Sequence, residues 1–198
     1  MPAGVAAGSA AAAAAARPSV WEQIFGVVVD PAVYKALLYM ILSLVTGIAY
    51  FTIVVTGVST AGGMLVLIIG IPLFLLVLGI VRAMALFESR LVEVLLGTRM
   101  PRRERAGLPD AGILQRMWFW VKDGRTWASM AYMILMLPLG IAYFTIAVTG
   151  LGTGFGLIAS PFAVIGGVLL VLLWLHVIRW IGRGHAVFAK NMLVRLAH

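Results

Sequence analysis

Few side chains in this 198-residue chain carry reactive chemistry, and their types limit what it can do. Cysteine is absent, which excludes disulfides, thiolate metal sites and cysteine nucleophiles together. The histidines are His176, His185 and the terminal His198. A haem in a helical bundle wants paired axial histidines at depth, and this set does not supply them, so neither haem nor metal is expected. His176 sits beside Trp174 and one turn before Arg179 and Trp180, where interfacial anchoring accounts for it. No Walker loop, dinucleotide fingerprint, HExxH helix or GxSxG elbow occurs. The glycines of LGTGFG have no strand before them and no lysine after them, so they read as a turn. The expectation is a non-enzymatic protein with no catalytic residue and no cofactor.

The remaining candidates recur in pairs. Tyr39 to Val58 and Tyr132 to Leu151 are identical at 15 of 20 positions at an offset of 93. A repeat of this kind sets the architecture before any local feature does. At helical period, Tyr39, Ser43, Thr46, Gly47, Tyr50 and Val54 share one stripe, and Ala49, Thr52 and Thr56 share another. The second copy keeps Tyr132, Gly140 and Tyr143 on the first stripe, and Ala142, Thr145 and Thr149 on the second. Two roles fit Gly47, Tyr50, Thr52, Thr56, Gly140, Tyr143, Thr145 and Thr149. Small residues let helices approach closely in lipid, which would make Ala49, Thr52 and Thr56 a tight seam. Alternatively, Tyr50 and Tyr143 face each other across a ligand pocket.

The elements that position these residues are membrane helices. Hydrophobic residues make up 63% of the chain and charged residues 11%, against about 25% charged in soluble domains. Four stretches, 36–58, 62–81, 127–150 and 154–178, contain no Asp, Glu, Lys or Arg. Each can cross about 30 Å of hydrocarbon. Within each pair the break is short, VSTAGG and LGTGFG, and predicts a tight hairpin at each. Two basic residues precede the first span, nine lie between the second and third, and four follow the last, so both termini and the central linker are expected in the cytoplasm of a multi-pass cell-membrane protein.

An even number of spans per repeat makes the two copies parallel, related by an axis along the membrane normal. The fold class is therefore all-α: four transmembrane helices as two tandem parallel repeats of a helical hairpin, with interfacial amphipathic helices. Upstream of the spans, Asp30 falls on Asp123, Phe25 on Trp118 and Tyr34 on Trp127 at the same offset, so each repeat begins with an aromatic interfacial segment. Downstream, an offset of 97 places Arg82 on Arg179 and Leu95-Leu96 on Met192-Leu193, which puts a four-residue insertion in the second hairpin. The resulting organisation is a disordered Ala/Gly-rich tail at 1–18, repeat 1 at 19–98, a basic linker at 99–111 and repeat 2 at 112–198.

A net charge of +8 could suggest nucleic acid, but in a membrane protein basic residues report orientation and lipid headgroups, so no nucleic-acid partner is expected. Arg99, Arg102, Arg103 and Arg105 either hold anionic lipid or simply keep the linker inside. Trp118, Phe119, Trp120 and Trp127 with Lys122 and Arg125 form an aromatic and basic re-entry into the membrane.

The phrases LLYMILSLVTGIAYFTIVVTGVS and AYMILMLPLGIAYFTIAVTGLG, each followed by a second apolar span and an amphipathic tail such as VRAMALFESRLVEVLLGTRMP, resemble the sensor-domain family of bacterial two-component histidine kinases, actinobacterial members above all. The resemblance covers most of residues 20–198 and implies a four-span sensory module that passes a signal to a cytoplasmic output. The kinase is missing: about 20 residues follow the last span, and His185 in RGHAVFAK lacks the acidic neighbour of a phosphoacceptor histidine. A stand-alone module acting through a partner and an excised sensor domain are both open. The functional expectation is a membrane sensor responding to lipid state, an apolar ligand or a partner, with anionic lipid, a cytoplasmic signalling partner and a second copy of the chain as partners. A small oligomeric transporter or channel, with Thr52, Thr56, Thr145 and Thr149 lining a pore, and a lipid-binding membrane scaffold are the alternatives.

Overall fold

The computed structural model describes residues 20–100 and 113–193, and there the chain is helical with no strand. The helices are α1 (Val20–Val29), α2 (Pro31–Gly63, prolonged by a 3₁₀ turn at Met64–Leu67), α3 (Gly70–Leu96), α4 (Ile113–Lys122), α5 (Gly124–Ile158) and α6 (Val164–Leu193). Four of them, α2, α3, α5 and α6, are long and apolar enough to cross a membrane, so the chain is a multi-pass membrane protein. A helix is the form such sequence must take, because hydrocarbon offers no partner for an open backbone amide. Of the linker arginines, Arg99 is exposed, whereas Arg102, Arg103 and Arg105 lie outside the described residues, as does the tail at 1–18.

Each half starts in the same way. Asp30 caps α2 by accepting the Ala32 N–H at 2.9 Å, with Pro31 in the first turn. Asp123 caps α5 by accepting the Arg125 N–H at 3.1 Å. The short preceding helices are tied down by equivalent rings: the Tyr34 hydroxyl donates to the Val28 carbonyl at 2.6 Å, and the Trp127 indole N–H to the Val121 carbonyl at 2.9 Å.

The hairpin turns fall later than the glycines suggest. Helix α2 runs through VSTAGG and α5 through LGTGFG, and the chain reverses at 68–69 and 159–163. In lipid, giving up helical hydrogen bonds costs more than keeping glycine helical; of these glycines Gly154 serves packing, while a Cβ on Gly62, Gly63, Gly152 or Gly156 would meet nothing within 4 Å. A Cβ on Gly57 would strike Val77, and one on Gly154 would strike Val171, both across a hairpin. The first turn uses Ile68 in the left-handed region (φ 63°) followed by Gly70, whose missing Cβ admits the backbone of Ala61, Met64 and Leu65. At the other ends, α3 and α6 do not stop near Val81 and Ile178. They continue unbroken to Leu96 and Leu193, so the amphipathic tails are continuations of the spanning helices.

The main helix contact is α2 against α5. A Cβ on Gly47 would collide with the Met136 carbonyl, and one on Gly140 with the Ser43 carbonyl, so each glycine admits the other helix's backbone. The buried stripe of α2 is Tyr39, Met40, Ser43, Thr46, Gly47, Tyr50 and Val54. Ala49, Thr52 and Thr56 are exposed, as are Ala142, Thr145 and Thr149. The expectation of a tight seam at Ala49, Thr52 and Thr56 is thus corrected: the glycine stripe, one third of a turn away, permits the closer approach and takes the interior.

Candidate functional site

A cluster of buried polar side chains lies inside the bundle. On α3, Val77, Leu78, Val81, Ala85, Glu88 and Val92 form the buried stripe, spaced by three and four residues. On α6 the corresponding stripe is Leu175, Ile178, Gly182, His185 and Ala189. Glu88 is 0% exposed and His185 is 2% exposed. A carboxylate so placed is tolerated only if hydrogen bonds replace its lost water.

Tyrosines from the other two spanning helices supply them. From α2, the Tyr39 hydroxyl donates to Glu88 Oε1 at 2.6 Å and lies 2.6 Å from His185 Nε2. From α5, the Tyr132 hydroxyl donates to the same Oε1 at 3.1 Å and lies 3.0 Å from the same Nε2. Each of these hydroxyls gives its one proton to the carboxylate and turns a lone pair toward the imidazole, so His185 takes the tautomer or charge state with a proton on Nε2. The flanks are closed by Tyr50, donating to Glu88 Oε2 at 3.0 Å, and Tyr143, 3.0 Å from His185 Nδ1. Both carboxylate oxygens and both ring nitrogens are therefore engaged. The imidazole also packs edge-on to Tyr143, with centroids 5.3 Å apart.

The arrangement holds an acid and a base joined through shared hydroxyls. Tyr39 and Tyr132 each touch both, so a proton can pass from imidazole to carboxylate through one hydroxyl, whose oxygen takes the Nε2 proton as its own proton goes to Glu88 Oε1, without entry of water. Ionised carboxylate with imidazolium, and carboxylic acid with neutral imidazole, carry the same net charge, and the hydroxyls can bond to either pair.

The sequence-derived candidates distribute as follows. Tyr50 and Tyr143 enter the cluster, each on a different partner. Gly47 and Gly140 stand at the α2–α5 crossing beside it. Thr52, Thr56, Thr145 and Thr149 face outward and are not part of it. His176, on the outer side of α6, contacts the Leu172 carbonyl at 2.9 Å through Nδ1. Glu88 and His185, the two ionisable centres, were missed. The offset of 97 that aligns Arg82 with Arg179 also aligns Glu88 with His185, so one register position carries the acid in the first half and the base in the second. Ending the second span at Val81 places Glu88 in the amphipathic tail.

Two ion pairs cross between the halves at the cluster's edge. Arg82 of α3 lies 3.2 Å from Asp123, the cap of α5, and Arg179 of α6 lies 3.1 Å from Asp30, the cap of α2. Each half thus clamps the first turn of the other.

A family model described as "Putative sensor" matches residues 39–193, which reaches into all four spanning helices and includes the whole cluster. The searches of curated proteins and of solved structures found no match.

Proposed function

Since the chain belongs to the "Putative sensor" family, we propose that it is a non-enzymatic signalling module of the cell membrane, with termini and linker in the cytoplasm, that converts lipid state, an apolar ligand or a partner into a shift of its two hairpins. The observation that carries this reading is the Glu88–His185 cluster, in which all four spanning helices share one hydrogen-bonded group at the crossing of α2 and α5. A buried polar network is satisfied in one arrangement and penalised in intermediate ones, which makes packing two-state rather than gradual. A stimulus acts by binding one packing better than the other. The matched contacts of the two halves support a pseudo-twofold relation between the hairpins, and the axis passes near the point where acid and base differ.

The test is amide exchange over 39–54 and 132–147, in bilayers of two acyl-chain lengths and in the Glu88→Gln variant. Exchange should rise in both segments together when the cluster is broken and should differ between the bilayers. Identical exchange in every condition would remove the reading.

Transport is the second reading, because an intramembrane carboxylate and imidazole linked by hydroxyls is also the equipment of a proton-coupled carrier. Purified protein in liposomes should give no proton or solute flux above empty vesicles. Saturable flux lost in Glu88→Gln would make transport the primary function.

A further inference from the structure

We propose that the groove between α1 and α6 binds the phosphate of a membrane phospholipid. The groove is a cavity of about 840 Å³ bordered by Gly26 and Val27 of α1 and by His176, Arg179, Trp180 and Arg183 of α6. His176, Arg179 and Arg183 stand three and four residues apart, so they share one helical face.

The opposite side of the molecule shows what is unfinished here. There α4 lies against α3, and three groups meet Arg82: the Trp120 ring covers its guanidinium at 5.3 Å, the Thr126 hydroxyl accepts from Nη1 at 3.2 Å, and Asp123 pairs with the same nitrogen. At the offsets of 93 and 97, Phe119-Trp120 becomes Gly26-Val27, Thr126 becomes Val33, Gly79 becomes His176 and Leu86 becomes Arg183. Every protein group that satisfies Arg82, apart from the aspartate, is thus removed around Arg179, and two further cation-capable side chains are added.

The consequence is visible in the hydrogen bonding. Arg179 keeps its pair with Asp30, but its buried Nε has no hydrogen-bond partner. Arg183 makes no ion pair among the described residues. An anion with several oxygens would satisfy both guanidinium groups and the outer imidazole nitrogen of His176.

The setting selects the anion. Trp180 is 78% exposed, and the apolar side chains of Val29, Leu169 and Leu173 lie exposed on the same two elements, so the ligand carries an apolar body beside its charged head. Asp30 and Glu22 also line the groove and hold its charge near balance, which suits a single phosphodiester better than a polyphosphate head. The site is separate from the buried cluster, and it can fail without affecting the sensor reading.

The experiment is native mass spectrometry of the full chain in detergent with phosphatidylglycerol as the probe. Diacylglycerol is the phosphate-free arm, and millimolar inorganic phosphate is the competitor. Arg183→Gln and Gly26→Phe should each lower bound phosphatidylglycerol about tenfold, the effect of losing one charge-assisted hydrogen bond or of blocking the cavity. Both positions lie outside the packed interior, since Arg183 and Gly26 are exposed and a Cβ on Gly26 meets nothing within 4 Å. Leu86→Ala, at the equivalent place on the other side, should retain lipid as the wild type does. Unchanged lipid in both groove variants, or equal retention of diacylglycerol, would overturn the phosphate site. Displacement by inorganic phosphate would overturn the lipid as its source.

Discussion

Tyr39 holds the shortest hydrogen bonds of the cluster and touches both ionisable groups, whereas Tyr50 and Tyr143 touch one each. Tyr39→Phe should therefore destabilise the fold more than Tyr50→Phe, which should cost about 1 to 3 kcal/mol as the loss of one bond to a charged group. Removing one centre is worse. Glu88→Ala leaves three hydroxyls and an imidazole facing a void and should cost about 3 to 5 kcal/mol, while Glu88→Leu with His185→Leu, which fills the void and leaves only neutral hydroxyls without these partners, should cost less. Thermal melts in detergent measure the series, and a double variant no more stable than Glu88→Ala would refute the pairing. The tyrosines and glycines of this site are legible in the sequence because they recur at one offset. Glu88 and His185 are not found that way, since the offset changes in the second hairpin and the two residues differ in type. Hydropathy also hides them: Arg82 and Arg90 on either side of Glu88 make the segment look solvated, and only the fold shows that they sit on the other faces of α3.

At the scale of the helix, the close approach of α2 to α5 rests on hydrogen atoms where any other residue has a side chain. Gly47→Leu and Gly140→Leu force a side chain into a backbone carbonyl and should prevent correct folding or cost at least the 1 to 3 kcal/mol of ordinary overpacking. Val54, 1% exposed, should tolerate Leu less well than exposed Thr52 does. Equal melting temperatures for Val54→Leu and Thr52→Leu would contradict the placement of the stripes. The crossed ion pairs are partly exposed, Arg179 and Asp30 at 36% and 22% of their side-chain surface, so breaking one should cost under about 1 kcal/mol. The period of the apolar residues revealed which segments are helices. It could not tell which of two small-residue stripes faces inward, because alanine and threonine suit a lipid-facing surface as well as a seam. Nor could it locate the turns, since glycine marks a reversal in water and a close contact in lipid.

For the whole molecule, the distribution of basic residues predicts that cysteine labels at Ser59 and Gly152 react from outside intact cells, and that a label at Arg103 does not. External labelling at Arg103 alone would reverse the topology. The four spans and the bundle class were readable from composition and repetition, since hydrocarbon leaves helices as the one form this sequence can take. How the halves meet was not, because it depends on contacts between residues far apart in the chain, 44 positions for Tyr132 with Glu88 and 146 for Tyr39 with His185. The central claim is that this shared cluster sets the packing of one hairpin against the other. Its most direct test is double electron–electron resonance between spin labels at Ser59 and Gly152, both exposed and at equivalent places on α2 and α5. The wild type should give one narrow distance distribution in liposomes, and Glu88→Gln should add a second population or displace the first. Superimposable distributions in wild type, Glu88→Gln and the double leucine variant would contradict the account.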